Sequence, residues 1–417
     1  MIRAGMLQAG CGMLGRLLAA DPGYRGPRVP CGQGHEAGLV AYRDKVIDTV
    51  LGPVALTRAW YHCALCGHGS APRDAELGVA GVSMSPGLTA MNDQAAAAGP
   101  FAKAARLLEV LAGVRLTVKR VERAAEASGT AAAQAVRDRA GLIAGRKLVP
   151  LPPSPLPDKL YAAIDGTGVP VTAKETAGRD GKAEDGRART REVKLAVFFT
   201  QDKLDAKGYP VRDQDSSSYV ATFEPASAFA GLAEAEGIRR GARHVRQMTI
   251  LGDGAAWIWG IASSKFPEAT QIVDLFHARE HLHDLARLLE FMLGDRIDDW
   301  LAARLQDLDY GDIDAICAAA RRYPLAGVKK DEMDTALGYF QNNAPRMRYK
   351  WFRSRGLFVG SGAVEAGCKS VIGQRLKLSG MHWTVGGADA IATLRCQQAS
   401  RPEDRIWPAP HNQTRTA

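Results

Sequence analysis

Between Val149 and Pro157 the chain reads Val-Pro-Leu-Pro-Pro-Ser-Pro-Leu-Pro, with five prolines. Each proline lacks a backbone N–H and holds φ near about −65°, so neither a helix nor an inner strand can run through the stretch. It reads as an extended linker and as the main domain boundary. Before it the composition is helical; after it the chain opens on strands. A chain of 417 residues is expected to form two or three units, and 46% hydrophobic residues supply real cores.

Three carboxylates carry most of the chemical information. Asp165 ends the apolar run of Tyr161-Ala-Ala-Ile-Asp-Gly-Thr-Gly168, and Asp253 ends that of Met248-Thr-Ile-Leu-Gly-Asp-Gly-Ala255. Glu365 lies in Gly360-Ser-Gly-Ala-Val-Glu-Ala-Gly-Cys-Lys369, a helix start that Ser361 can cap. Taken singly, an Asp-Gly after an apolar run is a turn. Taken together, two acids at strand ends and one on a later helix can hold a pair of Mg2+ or Mn2+ ions for phosphodiester cleavage. On the helix, Glu365 and Lys369 share one face, and Val364, Cys368 and Ile372 form the buried one. Asp274 and His277 follow Asp253 at the junction of a short strand and a long helix. Either Asp274 caps the helix with His277 on its first turn, or His277 orients a phosphate or hydrogen-bonds the metal-bound acids.

Upstream, Cys31-Gly-Gln-Gly-His35 and Cys63-Ala-Leu-Cys66 offer four zinc ligands from two short knuckles. Val46–Leu51 and Val54–Tyr61 read as strands joined by Gly52-Pro53, which makes the region a zinc ribbon. His62 or His68 could replace His35, and the cysteines could instead be buried thiols or a redox pair. Residues 101–123 read as a helix, a turn at Gly113 and a second helix. Leu107, Leu108 and Leu111 pack one side, and Leu116, Val118 and Val121 the other. Lys119, Arg120 and Arg123 would then face a major groove; an ordinary helical hairpin has the same pattern.

Pro345-Arg-Met-Arg-Tyr-Lys-Trp-Phe-Arg-Ser-Arg355 combines Arg346, Arg348, Lys350, Arg353 and Arg355 with three aromatics and no acid. Cations neutralise phosphates and aromatics stack on unpaired bases; the alternative is a surface strand. Trp383 is a further candidate for stacking. Residues 174–190 form a charged loop that includes Lys182 and Arg187. Strands are expected near 160–165, 168–173, 191–200 and 247–252, with a helix near 225–240 and helical pattern over 277–343.

A net charge of +9 favours an anionic partner, though it also suits an ordinary solvated surface. Seven irregularly spaced cysteines do not form a secreted disulfide framework, so a reducing cytoplasm is expected. Leu7-Gln-Ala-Gly-Cys11 loosely resembles a lipoprotein cleavage site, but Gln8 and the bracketing Arg3 and Arg16 argue against export. No apolar run approaches the roughly 18 residues of a membrane span.

Over roughly residues 26–400 the chain resembles bacterial insertion-sequence transposases of the ISKra type, DDE enzymes with RNase H-like cores. The resemblance rests on Trp60-Tyr-His-Cys-Ala-Leu-Cys-Gly-His-Gly69 with Pro72-Arg-Asp74, Ala163-Ile-Asp-Gly-Thr-Gly-Val-Pro170, Leu251-Gly-Asp-Gly-Ala255 and the 360–369 segment. It implies that Asp165, Asp253 and Glu365 are the catalytic triad, and that Asp274 and His277 match an Asp-x-x-His motif. It also implies a helical insertion between the second acid and the glutamate. The expected architecture is mixed α+β/α/β: an N-terminal segment (1–25), a zinc-ribbon-like domain (26–80), a helical, helix-turn-helix-like DNA-binding region (81–148) and the linker (149–157). An RNase H-like core (158–276 and 345–400) follows, interrupted by the insertion (277–344), and then a tail (401–417). The expected function is Mg2+-dependent cleavage and transfer of double-stranded DNA at transposon ends, by a homodimer or larger assembly at the nucleoid. Rival expectations are a zinc-containing DNA-binding regulator and a structure-specific nuclease.

Overall fold

The computed structural model describes residues 2–181, 186, 188–360 and 362–400. Lys182, Arg187, the expected cap Ser361 and the tail 401–417 lie outside the described residues. The chain is mixed α/β and divides into two compact units, up to Gly129 and from Thr130 onward. That division falls inside a helix rather than at the proline-rich stretch. The reason is packing: Ala140 and Ile143 at the end of that helix form a core with Leu232 and Ala235. Pro153 and Leu156 lie directly over Gly241, so the prolines are laid against the second unit.

The first unit is built on an antiparallel sheet, β1 (Arg28–Pro30), β2 (Glu36–Thr49), β3 (Gly52–His62) and β4 (Gly69–Ser70), in that order. Val54 and Leu56 alternate inward along β3, and Leu56 packs with Ile47, Val79 and Leu18. The β2–β3 turn falls at Val50-Leu51, not at Gly52-Pro53, because Thr49 pairs with Gly52 and its hydroxyl donates to the Gly52 carbonyl at 2.7 Å. β2 begins ten residues before the expected Val46. Its pattern is hidden by Lys45, which joins Arg58 in salt bridges to buried Asp74 at 3.2 and 2.8 Å.

Residues 2–19 form a full helix, α1 (Ile2–Ala19). After α2 (Pro72–Glu76) and α3 (Pro86–Ala98), α4 (Phe101–Leu107) runs into a π-helical turn at Leu108–Ala112. Gly113 then takes φ +75° and reverses the chain. The second helix, α5 (Val118–Ala144), continues far beyond Arg123. Leu108 and Val121 are buried and Leu116 packs on Met84 and Leu88, whereas Leu111 and Val118 are exposed.

The second unit holds a five-stranded mixed sheet ordered β11 (Thr270–Val273), β10 (Gln247–Gly252), β5 (Lys159–Pro170), β6 (Thr190–Gln201) and β9 (Ser218–Thr222). β5, β6 and β9 are antiparallel neighbours, while β10 and β11 run parallel to β5. A two-stranded ribbon, β7 (Lys203–Leu204) with β8 (Pro210–Val211), stands apart from it. β5 is a single strand where two were expected. Gly166 and Gly168 read as turn residues, but a Cβ at each would meet the Glu192 side chain at 2.5 Å and the Thr190 hydroxyl at 3.0 Å. They are cross-strand clearances rather than turns.

α6 (Ala226–Arg239) and α7 (Ala256–Lys265) connect the strands. The expected helical stretch comprises α8 (Leu275–Leu293), α9 (Ile297–Tyr310), α10 (Ile313–Arg321) and α11 (Val328–Asn343). The spacing of Leu282, Leu285, Leu289 and Met292 predicts one apolar stripe on α8; the three leucines are fully buried, but Met292 at its end is 37% exposed. The basic-aromatic segment forms a helix, α12 (Tyr349–Ser354), not a strand, because Tyr349 and Phe352 at spacing three are its buried anchors. α13 (Gly362–Gly367), a π-helical turn at Cys368–Gly373, α14 (Gln374–Leu376) and α15 (Val385–Ala399) complete the unit.

α13 lies on β5 and β6. The contact is made through Gly367, whose Cβ would come 3.0–3.2 Å from Val197, Leu195 and Tyr219. Gly367→Leu is therefore expected to destabilise the second unit by about 1–3 kcal/mol through overpacking. Urea unfolding followed by tryptophan fluorescence would show it; an unchanged midpoint would contradict this packing.

Candidate functional site

The strand register aligns three acids. Leu251 of β10 pairs with Ala163 of β5 and with Ile272 of β11. Continuing that register two residues, past the ends of β10 and β11, brings Asp253 and Asp274 alongside Asp165 of β5. Residues in one row of a sheet project from the same face, and the carboxyl ends of parallel strands are where α/β sheets bind ligands. The Asp274 amide donates to the Gly252 carbonyl at 2.8 Å, which carries the alignment past the last paired residues. Asp165 pairs with Leu195 and Ala163 with Val197, so Gly367 of α13 rests on the face that carries the acids. Glu365, half-buried on α13, is thereby brought over the row.

Asp165 is held through both oxygens: the Gly166 amide donates to Oδ1 at 2.6 Å and the Cys368 thiol to Oδ2 at 3.4 Å. Burial raises its pKa, opposed by those two hydrogen bonds and reinforced by the nearby charge of Asp253. Burial and the neighbouring Asp165 also push the Cys368 thiol well up, keeping it protonated. Asp253 accepts from the Ala255 amide at 2.9 Å, and the Tyr339 hydroxyl from α11 donates to its carbonyl at 2.9 Å. Gly254, at φ +109°, lies flat against that tyrosine, where a side chain would clash.

Asp274 caps α8, as one of its two readings expects. Its Oδ1 accepts from the His277 amide at 2.9 Å and lies 3.3 Å from His277 Nδ1. The hydrogen bond to Asp274 is the main cause that lifts the His277 pKa to about 9, against burial. One ligand atom from each of Asp274, His277 and Glu365 lies within 4.8 Å of the others. Asp165 and Asp253 are outside that trio, so the expected triad does not form one such cluster among the described residues. His281, one turn after His277, stacks on Tyr339 at 3.7 Å, and burial lowers its pKa.

The second cluster is Cys31, His35, Cys63 and Cys66, with ligand atoms all within 4.8 Å. His35, rather than His62 or His68, belongs to it. The Cys31 amide donates to the His35 carbonyl at 2.9 Å and the Gly67 amide to the Cys63 carbonyl at 2.8 Å, closing the two knuckles. Gly32, Gly34 and Gly67 take positive φ in those turns. The backbone amide of Cys66 does most to hold the Cys63 thiol down to about 7. The Cys31 and Cys66 sulfurs are 3.8 Å apart. Two thiolates about 2.3 Å from a tetrahedral zinc would stand about 3.8 Å apart, so this pair is already spaced for zinc.

The expected DNA-contacting residues divide by what they already touch. Lys119 is exposed but pairs with Glu122 at 2.7 Å, and Arg123 is exposed. Arg120 is not presented as an open contact: it bonds Asp48 and the Ser83 carbonyl and hydroxyl. Arg346 bonds Gln271 at 2.8 Å and covers the Trp259 ring. Arg348 and Arg355 lie 4.6 and 4.3 Å from the centre of the exposed Trp351 ring. Lys350 lies over Tyr310, Arg353 reaches Asp309 at 3.5 Å, and Lys369 is exposed. Trp383 is unsuited to stacking on a base: it is 7% exposed, bonded to the Leu376 carbonyl at 3.1 Å and covered by Arg375. Sequence reasoning missed Tyr339, which binds Asp253 from a distant helix, and Lys377, whose ammonium bonds the Thr167 hydroxyl two residues past Asp165.

No protein-family model matches the chain, and no curated protein matches it.

Asp274→Asn keeps a capping oxygen but removes its charge. The His277 pKa should fall from about 9 towards 6.5, because Asp274 is the main cause of its rise. The raised value makes the pair stabilising below the unfolded pKa, with the effect lost as pH climbs through the folded one. An NMR titration of the metal-free protein that stays near 9 in the variant would contradict this assignment.

Proposed function

We propose that the protein is a DNA transposase of the ISKra-like DDE type, binding the inverted repeats of an insertion sequence and cleaving and joining DNA strands. The observation that carries the reading is the alignment of Asp165, which lies within β5 and not at its end as expected, with Asp253 and Asp274 just past the ends of β10 and β11, and Glu365 above them. The sheet order supports assigning it to an RNase H-like core, because β5 is central, antiparallel strands extend on one side and parallel ones on the other. The helices α8 to α11 then correspond to the insertion between the second acid and the glutamate.

In this reading Asp165, Asp253 and Glu365 are the residues that would hold the divalent cations. Bound there, Mg2+ or Mn2+ would activate a water or 3′-hydroxyl and stabilise the leaving 3′-oxygen. Cys368 and the Gly166 amide fix the rotamer of Asp165. Tyr339 fixes the backbone of Asp253. His277 stands beside Asp274 and Glu365, with its ring 3.3 Å from Asp274 Oδ1. Arg348 and Arg355, both stacked on the part-exposed Trp351 ring, offer two cations for the phosphates of a strand. The Cys31, His35, Cys63 and Cys66 zinc site and residues 100–125 bind the end sequences, with Lys119 and Arg123 as phosphate contacts. Two ends must be brought together, so the active assembly is at least a dimer.

The test is a duplex carrying an element end, incubated with protein and Mg2+ or Mn2+. Asp165→Ala, Asp253→Ala and Glu365→Gln should each lower nicking by at least about 100-fold, since the carboxylates have no substitute for holding the ions, while end binding is kept. Equal activity in the variants would defeat the assignment, and cleavage without any joined product would favour a nuclease. Separately, the wild-type chain should purify with about one zinc, and Cys63→Ser should lose most of it and unfold the first unit. Elemental analysis showing no zinc in either protein would overturn the ribbon.

A further inference from the structure

Asp274 and His277 open α8, whereas Glu365 comes from α13, and the fold brings these three together without Asp165 or Asp253. We propose that this trio is a divalent-cation site in which the His277 imidazole is a direct ligand, and that it takes an Mn2+-like ion in preference to Mg2+. The inference deepens the transposase reading and rests on it for the ion's role in strand cleavage, but not for the ion's presence.

Geometry is the first ground. Ligands about 2.2 Å from one ion stand roughly 3 to 4.4 Å apart across its coordination sphere. The trio's spread of at most 4.8 Å therefore needs only a small contraction. The second ground is charge. Asp274 is fully buried, and the half-buried Glu365 converges on it. Asp274 already has the His277 ring 3.3 Å away, and a divalent ion between the two carboxylates would add a stronger attraction for both.

The third ground is the type of donor. Mg2+ is held by oxygen ligands and retained water. An imidazole beside two carboxylates suits later first-row ions better. The frame around the trio is fixed before any ion arrives. The Leu275 amide donates to the Val359 carbonyl at 2.9 Å, tying α8 to the segment that leads into α13. Gly360 leaves the space open: a Cβ there would stand 3.6 Å from Asp274 Oδ2 and 3.1 Å from the Phe276 ring.

The experiment uses the full chain as purified, without DNA, with Mn2+ as the probe. Electron spin echo spectroscopy detects a nitrogen bonded directly to Mn2+. Wild type should show imidazole nitrogen modulation, and His277→Ala should abolish it. Glu365→Gln and the cap-preserving Asp274→Asn should weaken Mn2+ binding about 10–100-fold. Asp165→Asn should leave the modulation intact, and an equal concentration of Mg2+ should not remove it. Circular dichroism would establish that each variant is folded.

Absence of nitrogen modulation in wild type at saturating Mn2+, its survival in His277→Ala, or its loss in Asp165→Asn would each overturn the proposal. Removal by equimolar Mg2+ would overturn the stated preference. A chain that shows the modulation but never cuts element ends would support the ion site and count against the transposase reading alone.

Discussion

The pairing of β10 with both β5 and β11 is the constraint on which the rest depends. A one-residue slip in either ladder would turn an acid to the opposite face of the sheet. With the observed register, Asp165, Asp253 and Asp274 fall in one row, and each is steadied from a different direction. Cys368 reaches Asp165, Tyr339 reaches the backbone of Asp253, and the first turn of α8 holds Asp274. The first two supports come from segments remote in sequence, so the arrangement exists only when the second unit is folded.

Several parts of this arrangement were legible in the residues. The apolar runs before Asp165 and Asp253 are strands, the three leucines of the α8 stripe are buried, and the four zinc-ligand candidates gather in one cluster. In each case the signal is local: a period of two or three to four, or a pair of ligands on one short turn. The continuation of β5 through Gly166 and Gly168 was not legible, because glycine in sequence signals a turn and only the cross-strand Glu192 and Thr190 show why it is needed. The helical state of α12 was hidden by its charges, and its buried anchors Tyr349 and Phe352 are defined by tertiary packing.

The unit boundary shows the same limit. Proline at 149–157 does stop regular structure, yet α5 belongs to both units because its two halves have different packing partners. Likewise Arg120, Arg346 and Trp383 carry the right chemistry for nucleic acid but are committed to partners within the protein. Trp351 differs, being exposed and bracketed by cations. Residue type alone does not separate these cases; what each side chain already touches does.

The central claim is that the aligned carboxylates grip divalent cations. Crystals grown with Mn2+ and measured at the manganese absorption edge test it most directly. An anomalous peak is expected within bonding distance of both the Asp165 and Asp253 carboxylates. Full Mn2+ occupancy elsewhere on the chain with no peak between those two acids, with or without an element-end duplex, would contradict it.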